Sequence, residues 1–241
     1  DIQMKLKQNQ NQIEKDNERL DSMVKKRTDE LMVTRDITIQ ALVGLLEVRN
    51  LESHNHTLRT QKIMKLLCDN LKSNSKYDDI LTEKYIEELV DTTPLHDIGK
   101  VGIPDEILLK PGRLTNKEYD LMKKHVDYGV KALQDELHDD KVVPSFIKTA
   151  LEIIATHHER FDGKGYPYGL SGKNIPLPGR LMAIIDVYDA LMSERVYKKA
   201  YDREYTINYI KKERGRQFDP DIVDVFLTIQ DDIVKITKNY Q

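Results

Sequence analysis

The chain has one cysteine, Cys68, among its 241 residues. An internal disulfide is therefore excluded, and this usage suits a reducing compartment such as the cytoplasm. Cys68 continues the apolar helical spacing of Ile63, Leu67 and Leu71. We therefore predict a buried thiol with a packing role rather than a reactive one.

Long apolar runs are also missing. No segment approaches the ~20 consecutive apolar residues of a membrane-spanning helix, and no secretory signal peptide is recognisable. The formal net charge of −3 lacks the basic excess typical of proteins that bind polymeric nucleic acid. We therefore expect a cytoplasmic protein with neither a membrane nor a polymeric nucleic acid as partner. Because the sequence begins at Asp1 rather than at a methionine, we expect it to be a piece of a longer protein.

Signatures of strands and of phosphate-binding loops are missing as well. We find no convincing apolar–polar alternation, and neither a GxGxxG nor a GK[ST] sequence. Apolar residues recur instead at helical spacing, which predicts helices over residues 53–71, 82–95, 145–158 and 180–193. Thr115 and Glu118 have the spacing of a capping box at the start of a helix that carries His125, and Asp219-Pro220 opens a last helix. The predicted fold class is all-α.

The first 40 residues differ from the rest because they are strongly polar and contain neither proline nor glycine. Apolar residues recur there every seven positions in two seams, at Leu6, Ile13, Leu20, Val24 and Leu31. Gln10, Asn17 and Arg27 interrupt the seams, which indicates weak pairing. We predict a coiled-coil-like stalk over residues 1–40 that pairs two copies of the chain, and a catalytic domain over residues 41–241. A single solvated helix is the alternative for the stalk.

Side chains that bind metals are concentrated at a few positions. The chain has only seven histidines, and three of them lie in the pairs His96-Asp97 and His157-His158. Adjacent ligands suit a site in which each reaches a different metal, or in which a carboxylate bridges two metals. The candidate ligands with imidazole or carboxylate side chains are Glu52, His56, His96, Asp97, His125, His157, His158 and Asp186.

This candidate set is too large for one four-coordinate site and suits two or three metal ions. Mixed nitrogen and oxygen donors fit Fe, Mn, Zn, Co or Ni, and the absence of thiolates argues against a structural zinc site. Glu52 and His56 are four residues apart and would share a helix face. Taken alone, Asp186 could instead be a buried ion-pair partner of Arg180, since an unpaired carboxylate in an apolar helix is costly.

Two motifs resemble those of the HD-GYP phosphodiesterases, a subgroup of the HD hydrolase superfamily. Residues 96–100, His-Asp-Ile-Gly-Lys, match the HDxGK element, and residues 157–167 match the HHExxDGxGYP element that names the subgroup. The resemblance covers about residues 35 to 230 and implies an HD-domain helical bundle. It also implies hydrolysis of cyclic di-GMP, or of the related 3′,3′-cyclic GMP–AMP, to a linear dinucleotide, with mononucleotides as the product of a second cut.

The resemblance assigns roles to particular residues. It implies that all eight candidate side chains are metal ligands, that Asp97 bridges two metals, and that Glu52 belongs to members with three metals rather than two. The metals it implies are most often Fe or Mn. It also implies that Lys100 is catalytic and contacts phosphate, and that Arg195 and Lys198 bind substrate. Tyr166 would stack on a base, or would only pack the loop that contains it.

Partners and competing functions follow from the same resemblance. Residues 24–31 resemble the linker that joins receiver domains to HD-GYP domains in response regulators, so we expect a sensory input upstream. The GYP loop could bind a GGDEF-domain protein. Two alternatives stay open: a non-catalytic cyclic-dinucleotide receptor, and another HD phosphohydrolase that acts on a nucleotide or on guanosine tetraphosphate.

Overall fold

The computed structural model describes residues 2–50, 55–73, 76–135, 142–193 and 200–240. The α-helices are α1 (Ile2–Asn50), α2 (Asn55–Lys72), α3 (Glu83–Thr92), α4 (Asp105–Leu108), α5 (Asn116–Lys123), α6 (His125–Gln134), α7 (Ser145–Thr156), α8 (Leu177–Met192), α9 (Arg203–Lys212), α10 (Pro220–Thr228) and α11 (Gln230–Asn239). Short 3-10 helices cover Thr93–Leu95, Ile98–Gly102 and Gly172–Asn174. The all-α prediction is confirmed, since the only strand-like pairs within the described ranges are two isolated bridges.

The chain divides into two compact units, Asp1–Leu42 and Val43–Gln241. The first unit is the greater part of α1, and its apolar side chains are exposed, with Leu6, Ile13 and Leu20 each more than half accessible. The second unit contains the core and every described candidate ligand. None of the helices among the described residues combines the length and apolar character that crossing a bilayer requires.

The core of the second unit surrounds helix α2. This helix buries Ile63, Met64 and Leu67 against α3, α8, α10 and α11, because apolar residues at this spacing share one helix face. Cys68 lies on the same face and is fully buried, as predicted. Helix α8 contributes the apolar run around Ile184 and completes the core. The two elements that carry His56 and Asp186 are therefore packed directly against each other.

Local signals in the sequence predicted several helix starts. Thr115 accepts from the backbone N–H of Glu118 while the Glu118 carboxylate accepts from the Thr115 backbone, so the predicted capping box is present. Asp219 caps α10, as predicted, by accepting from the Asp221 N–H.

Four details of the predicted helices were wrong. The helix predicted over residues 82–95 changes to a 3-10 turn after Thr92.

The three other differences also concern where helices break. The capping-box helix α5 ends at Lys123, and a separate helix α6 begins at His125. Helix α7 ends at Thr156, so the histidine pair follows the helix instead of lying inside it, and the final helical segment is two helices, α10 and α11. Arg180 pairs with the buried Asp219, which removes the alternative role of Asp186 as its partner.

Candidate metal centre

His96 and Asp97 lie in a tight turn between two 3-10 helices. Asp97 has φ −105° and ψ 11°, outside the helical region, so the two adjacent side chains can face a common point. Gly99 lets this turn approach helix α6. A Cβ on Gly99 would lie 1.8 Å from the backbone oxygen of His125 and 2.4 Å from the backbone nitrogen of Gly129. Glycine at this position therefore allows Asp97 and His125 to meet.

The two carboxylate oxygens of Asp97 face different partners. Oδ1 lies 3.3 Å from His125 Nε2 and 3.8 Å from His157 Nε2. Oδ2 lies 3.2 Å from His96 Nε2 and 2.6 Å from Lys100 Nζ. This arrangement suits a carboxylate that bridges two ions, because each oxygen has its own set of neighbours.

Two groups of candidate ligands result. Asp97, His125, His157 and His158 form one group, and His56, His96 and Asp186 form the other; within each, the donor atoms lie within 4.8 Å of one another. The groups adjoin, since the rings of His96 and His157 are 5.4 Å apart between centroids. Seven of the eight predicted ligands therefore converge on one place, although they come from α2, α6, α8 and the turns after α3 and α7.

Hydrogen bonds at Nδ1 orient three of the imidazoles. His96 Nδ1 lies 2.9 Å from the Thr93 oxygen, and His125 Nδ1 lies 2.8 Å from the Met122 oxygen. His157 Nδ1 lies 3.0 Å from the backbone oxygens of both Ile153 and Ile154. A carbonyl can only accept, so each ring carries a proton on Nδ1 and directs Nε2 to the cluster.

Four of the potential metal-binding atoms that face the cluster have no hydrogen-bond partner. The buried side-chain atoms in this position are His96 Nε2, Asp97 Oδ1, His125 Nε2 and His157 Nε2. Buried polar atoms without partners are rare in folded proteins, because their desolvation is uncompensated. These four atoms are imidazole nitrogens and a carboxylate oxygen, which are the atoms that bind divalent metal ions. Their convergence therefore fits ions held at this place.

The electrostatic environment of the cluster favours the protonation states in which histidine and aspartate bind metals. Burial lowers the pKa of His157 to about 4, with His96 adding to the effect, and burial together with His157 lowers the pKa of His158 well below its usual value. Burial would raise the pKa of Asp97, but Lys100 and His96 outweigh it and hold that pKa well below its usual range. Neutral imidazoles and an ionised carboxylate are the forms that bind metals.

His96 departs from this pattern. Burial alone would lower its pKa, but the neighbouring Asp97 carboxylate raises the pKa of His96 to about 9.

The loop of the GYP motif covers one side of the cluster. The ring of Tyr166 stacks on His158 with centroids 4.7 Å apart and makes an edge contact with Tyr119. Glu159, which is buried, holds this loop by accepting from the backbone N–H groups of Tyr168, Gly169 and Leu170 at 2.7 to 3.1 Å. Sequence reasoning assigned no role to Glu159.

Three predicted site residues, Glu52, Arg195 and Lys198, lie outside the described residues. Asp189 is a further residue at the site: it is buried and contacts His56 at 2.7 Å. Its position three residues after Asp186 on an apolar helix was the available signal. Arg59, which contacts Asp189, likewise lies three residues after a ligand, His56.

A family model described as an HD domain matches residues 87–222, a span that contains most of the cluster. The chain belongs to the HD domain family. Within this HD domain, the element that begins at His157 has the sequence typical of the HD-GYP subgroup.

Relatives of this HD domain protein are named as cyclic-dinucleotide phosphodiesterases. A cyclic di-GMP phosphodiesterase of Vibrio cholerae is 45% identical over 226 residues, which cover 93% of this chain and 45% of that protein. The 3′3′-cGAMP-specific phosphodiesterase 2 of the same organism is 37% identical over 207 residues, covering 86% of this chain and 37% of that protein. The chain spans about half the length of the curated relatives it matches.

Among solved structures, a cyclic GMP–AMP-specific phosphodiesterase of Vibrio cholerae has a similar fold. The TM-score is 0.55 at 16% sequence identity, and the match covers 86% of this chain and 50% of that one. At this identity the likeness supports the HD-domain fold alone.

Proposed function

We propose that this chain is a metal-dependent phosphodiesterase that hydrolyses a cyclic dinucleotide, either cyclic di-GMP or 3′,3′-cyclic GMP–AMP, in bacterial second-messenger signalling. The product would be a linear dinucleotide, and a second cut would release mononucleotides. Relatives at 45% and 37% identity whose names include these two substrates support the proposal.

The observation that carries the proposal is the set of buried, unpartnered donor atoms around Asp97. We assign His56, His96, Asp97, His125, His157, His158 and Asp186 as ligands, with Asp97 shared between the two groups. Glu52 would be the extra carboxylate of a third ion. Fe and Mn are the metals we expect, although the donor set also accepts Ni, Co and Zn. When bound, the ions would supply electrophilic stabilisation of the phosphoryl oxygens and acidify water to a nucleophile.

Lys100 is placed to act on the phosphate. Its ammonium group lies 2.6 Å from Asp97 Oδ2 and is mostly buried. A cation held there would attract a phosphodiester and stabilise the negative charge that develops on it during hydrolysis. The same ammonium could protonate the departing 3′ oxygen. Asp97, held ionised by Lys100 and His96, would keep its two oxygens available to both ligand groups.

Substrate contacts extend beyond the cluster. We assign Tyr166 a stacking contact with a base of the substrate, because the ring lies over His158 at the cluster. Lys123 Nζ lies 5.8 Å from the Tyr166 ring centroid and adds positive charge on this side. Arg195 and Lys198 would contact a phosphate or a guanine of the substrate, as the resemblance implies.

The experiment is turnover by protein prepared anaerobically and reconstituted with Fe(II) or Mn(II). Cyclic di-GMP, 3′,3′-cyclic GMP–AMP and guanosine tetraphosphate are each offered, and products are separated by chromatography. We expect a linear dinucleotide from at least one cyclic substrate and no reaction with the tetraphosphate. Hydrolysis of the tetraphosphate alone would favour the general HD phosphohydrolase. Tight binding of a cyclic dinucleotide without turnover, in protein with its full metal content, would favour the receptor.

Arg195→Ala and Lys198→Ala separate substrate binding from metal binding. Charge-assisted phosphate contacts contribute about 1.5–3 kcal/mol, so roughly 10- to 100-fold lower kcat/KM is expected with unchanged metal content. A parallel loss of metal would assign these residues to the support of the cluster instead.

A further inference from the structure

His56 is oriented by a different kind of group from the imidazoles around it. His96, His125 and His157 each direct Nδ1 to a backbone oxygen. His56 Nδ1 instead lies 2.7 Å from Oδ2 of Asp189, a carboxylate that is 1% exposed. This difference needs an explanation, because burying a carboxylate is costly unless it is fully paired.

Arg59 supplies that pairing. Its Nε donates to Asp189 Oδ1 at 2.6 Å and its Nη2 donates to Oδ2 at 2.9 Å, so the guanidinium grips both oxygens. The remaining donors of Arg59 reach Ser193 Oγ at 2.9 Å and the backbone oxygen of Tyr240 at 2.8 Å. The side chain is thereby fixed between α2, the end of α8 and the end of α11.

The chain of contacts controls which nitrogen of His56 carries the proton. An ionised carboxylate can only accept, so His56 must donate from Nδ1, which leaves the lone pair on Nε2. A carboxylate behind an imidazole also raises the basicity of the ring as a ligand more than a carbonyl does. Arg59 keeps Asp189 in place because His56 alone would leave one carboxylate oxygen without a donor.

We propose that Asp189 and Arg59 are positioning residues for the ion held by His56, His96 and Asp186. They fix the tautomer and the orientation of His56 without touching substrate or metal. The inference rests on the proposed metal site. It predicts that a change at Asp189 weakens metal binding in this ligand group only. The group formed by Asp97, His125, His157 and His158 is oriented by other contacts, so its metal affinity should not change.

Asp189→Asn is the direct test. The amide has one accepting oxygen where Arg59 and His56 both need an acceptor, so one of them meets an NH₂ group. Asp219→Asn is the matched control, because Asp219 is equally buried and paired with Arg180 but lies in a different ion pair. The double variant Asp189→Asn/Arg59→Met removes the buried cation that the single variant leaves underpaired, and so keeps the test valid if the single variant folds poorly.

The first readout is the affinity of each variant for Mn(II), measured by competition with a chromogenic chelator. We expect one ion to bind 10- to 100-fold more weakly in Asp189→Asn and in the double variant, the remaining ions to bind as in wild type, and Asp219→Asn to retain them all. Unchanged affinity for every ion, or equal weakening of all of them, would overturn the proposal.

The second readout is independent of metal and of activity. In metal-free protein, ¹⁵N chemical shifts of labelled histidine report the tautomer of each ring. We expect His56 to be protonated on Nδ1 in wild type and in Asp219→Asn, and to lose that preference in Asp189→Asn. If wild-type protein bound no metal, the proposed function would fail while this readout still decided the role of Asp189. A His56 tautomer unaffected by the substitution would reject the inference.

Discussion

Arg49 donates to the Asp105 carboxylate through both Nε and Nη2, at 3.0 and 2.7 Å from the same oxygen. Its guanidinium also donates to the backbone oxygens of Val101 and Ile103, each at 2.6 Å. The last turn of α1 is thus tied to the segment that follows Lys100. This contact joins the end of the long helix to the turn that presents Asp97.

Replacing Arg49 should disturb catalysis more than stability. Arg49→Met removes the donors that hold the carbonyls after Lys100, and small displacements of a positioned group can lower rates strongly. We expect roughly 10-fold lower kcat/KM with metal content retained. Arg27→Met is the control, because Arg27 forms an exposed pair with Glu30 far along the same helix and such pairs contribute little. Wild-type kinetics in Arg49→Met would show that the contact is not needed to position Lys100.

A second prediction concerns the close approach at Gly99. Gly99→Ala would place a methyl group against the backbone of His125 and Gly129, which cannot move aside as a flexible side chain can. We expect a loss of more than about 3 kcal/mol in unfolding free energy, or a folded protein with strongly reduced metal affinity. Denaturant unfolding and metal titration distinguish the two results.

Gly44→Ala is the matched control for this substitution. Gly44 lies in helix α1 with open space where a Cβ would be, so alanine should be neutral or stabilising by up to about 1 kcal/mol. A Gly99→Ala protein as stable and as competent in metal binding as Gly44→Ala would contradict the close packing of the turn on α6.

Local features of the fold could be predicted from the sequence, whereas contacts between residues far apart in the chain could not. The Thr115 cap and the helical spacing of Ile63, Leu67 and Cys68 were predicted because a few neighbouring residues determine them. The convergence of His56 with Asp186 was predicted only through the resemblance, since nothing in spacing alone brings them together. The contacts of Arg49 with Asp105 and of Arg59 with Asp189 were not predicted, because a charged residue on a helix gives no sign of its distant partner.

Metal binding should stabilise the fold. The partnerless atoms around Asp97 carry a desolvation cost that ligation would remove, and a ligand that binds only the native state adds about 2.7 kcal/mol at a concentration 100 times its Kd. We expect Mn(II) to raise the Tm of chelator-treated protein. Asp97→Ala should abolish both turnover and most of this rise, with little change in helix content. Near-normal turnover by Asp97→Ala would contradict the assignment of the shared carboxylate.

Cys68 gives a prediction about pH. Burial, with a contribution from Asp69, raises the pKa of the Cys68 thiol from 9.0 to about 12. Between these values the unfolded chain has released a proton that the native chain still binds, so stability must fall as pH rises. The slope from this group approaches about 1.4 kcal/mol per pH unit. Below pH 9 both states hold the proton and the group adds no pH dependence.

Urea unfolding of wild type and Cys68→Ala at pH 7.5, 9.5 and 10.5 measures this contribution. The tyrosines of the unfolded chain also titrate in this range but are common to both proteins, so the difference isolates the thiol. Wild type should be the more stable at pH 7.5, since the variant leaves a small cavity, and its advantage should shrink above pH 9. A difference that stays constant across the three pH values would exclude a raised thiol pKa.

The last prediction concerns the amino-terminal stalk, which we propose pairs with a second copy of the chain. Leu6, Ile13, Leu20, Val24 and Leu31 are all more than half exposed on α1. Their sevenfold spacing would bury them together in a parallel helical pair, whereas the polar residues in the seams would limit its strength. Deleting residues 1–33 should therefore abolish concentration-dependent dimerisation measured by sedimentation. The shortened protein should stay folded, because the buried core begins at Val43.

Leu20→Asp in the intact chain tests the same seam without a deletion. Arg19→Asp, a charge change outside the seams, is its control. An oligomeric state that is the same in the intact, shortened and Leu20→Asp proteins would remove the case for a pairing stalk.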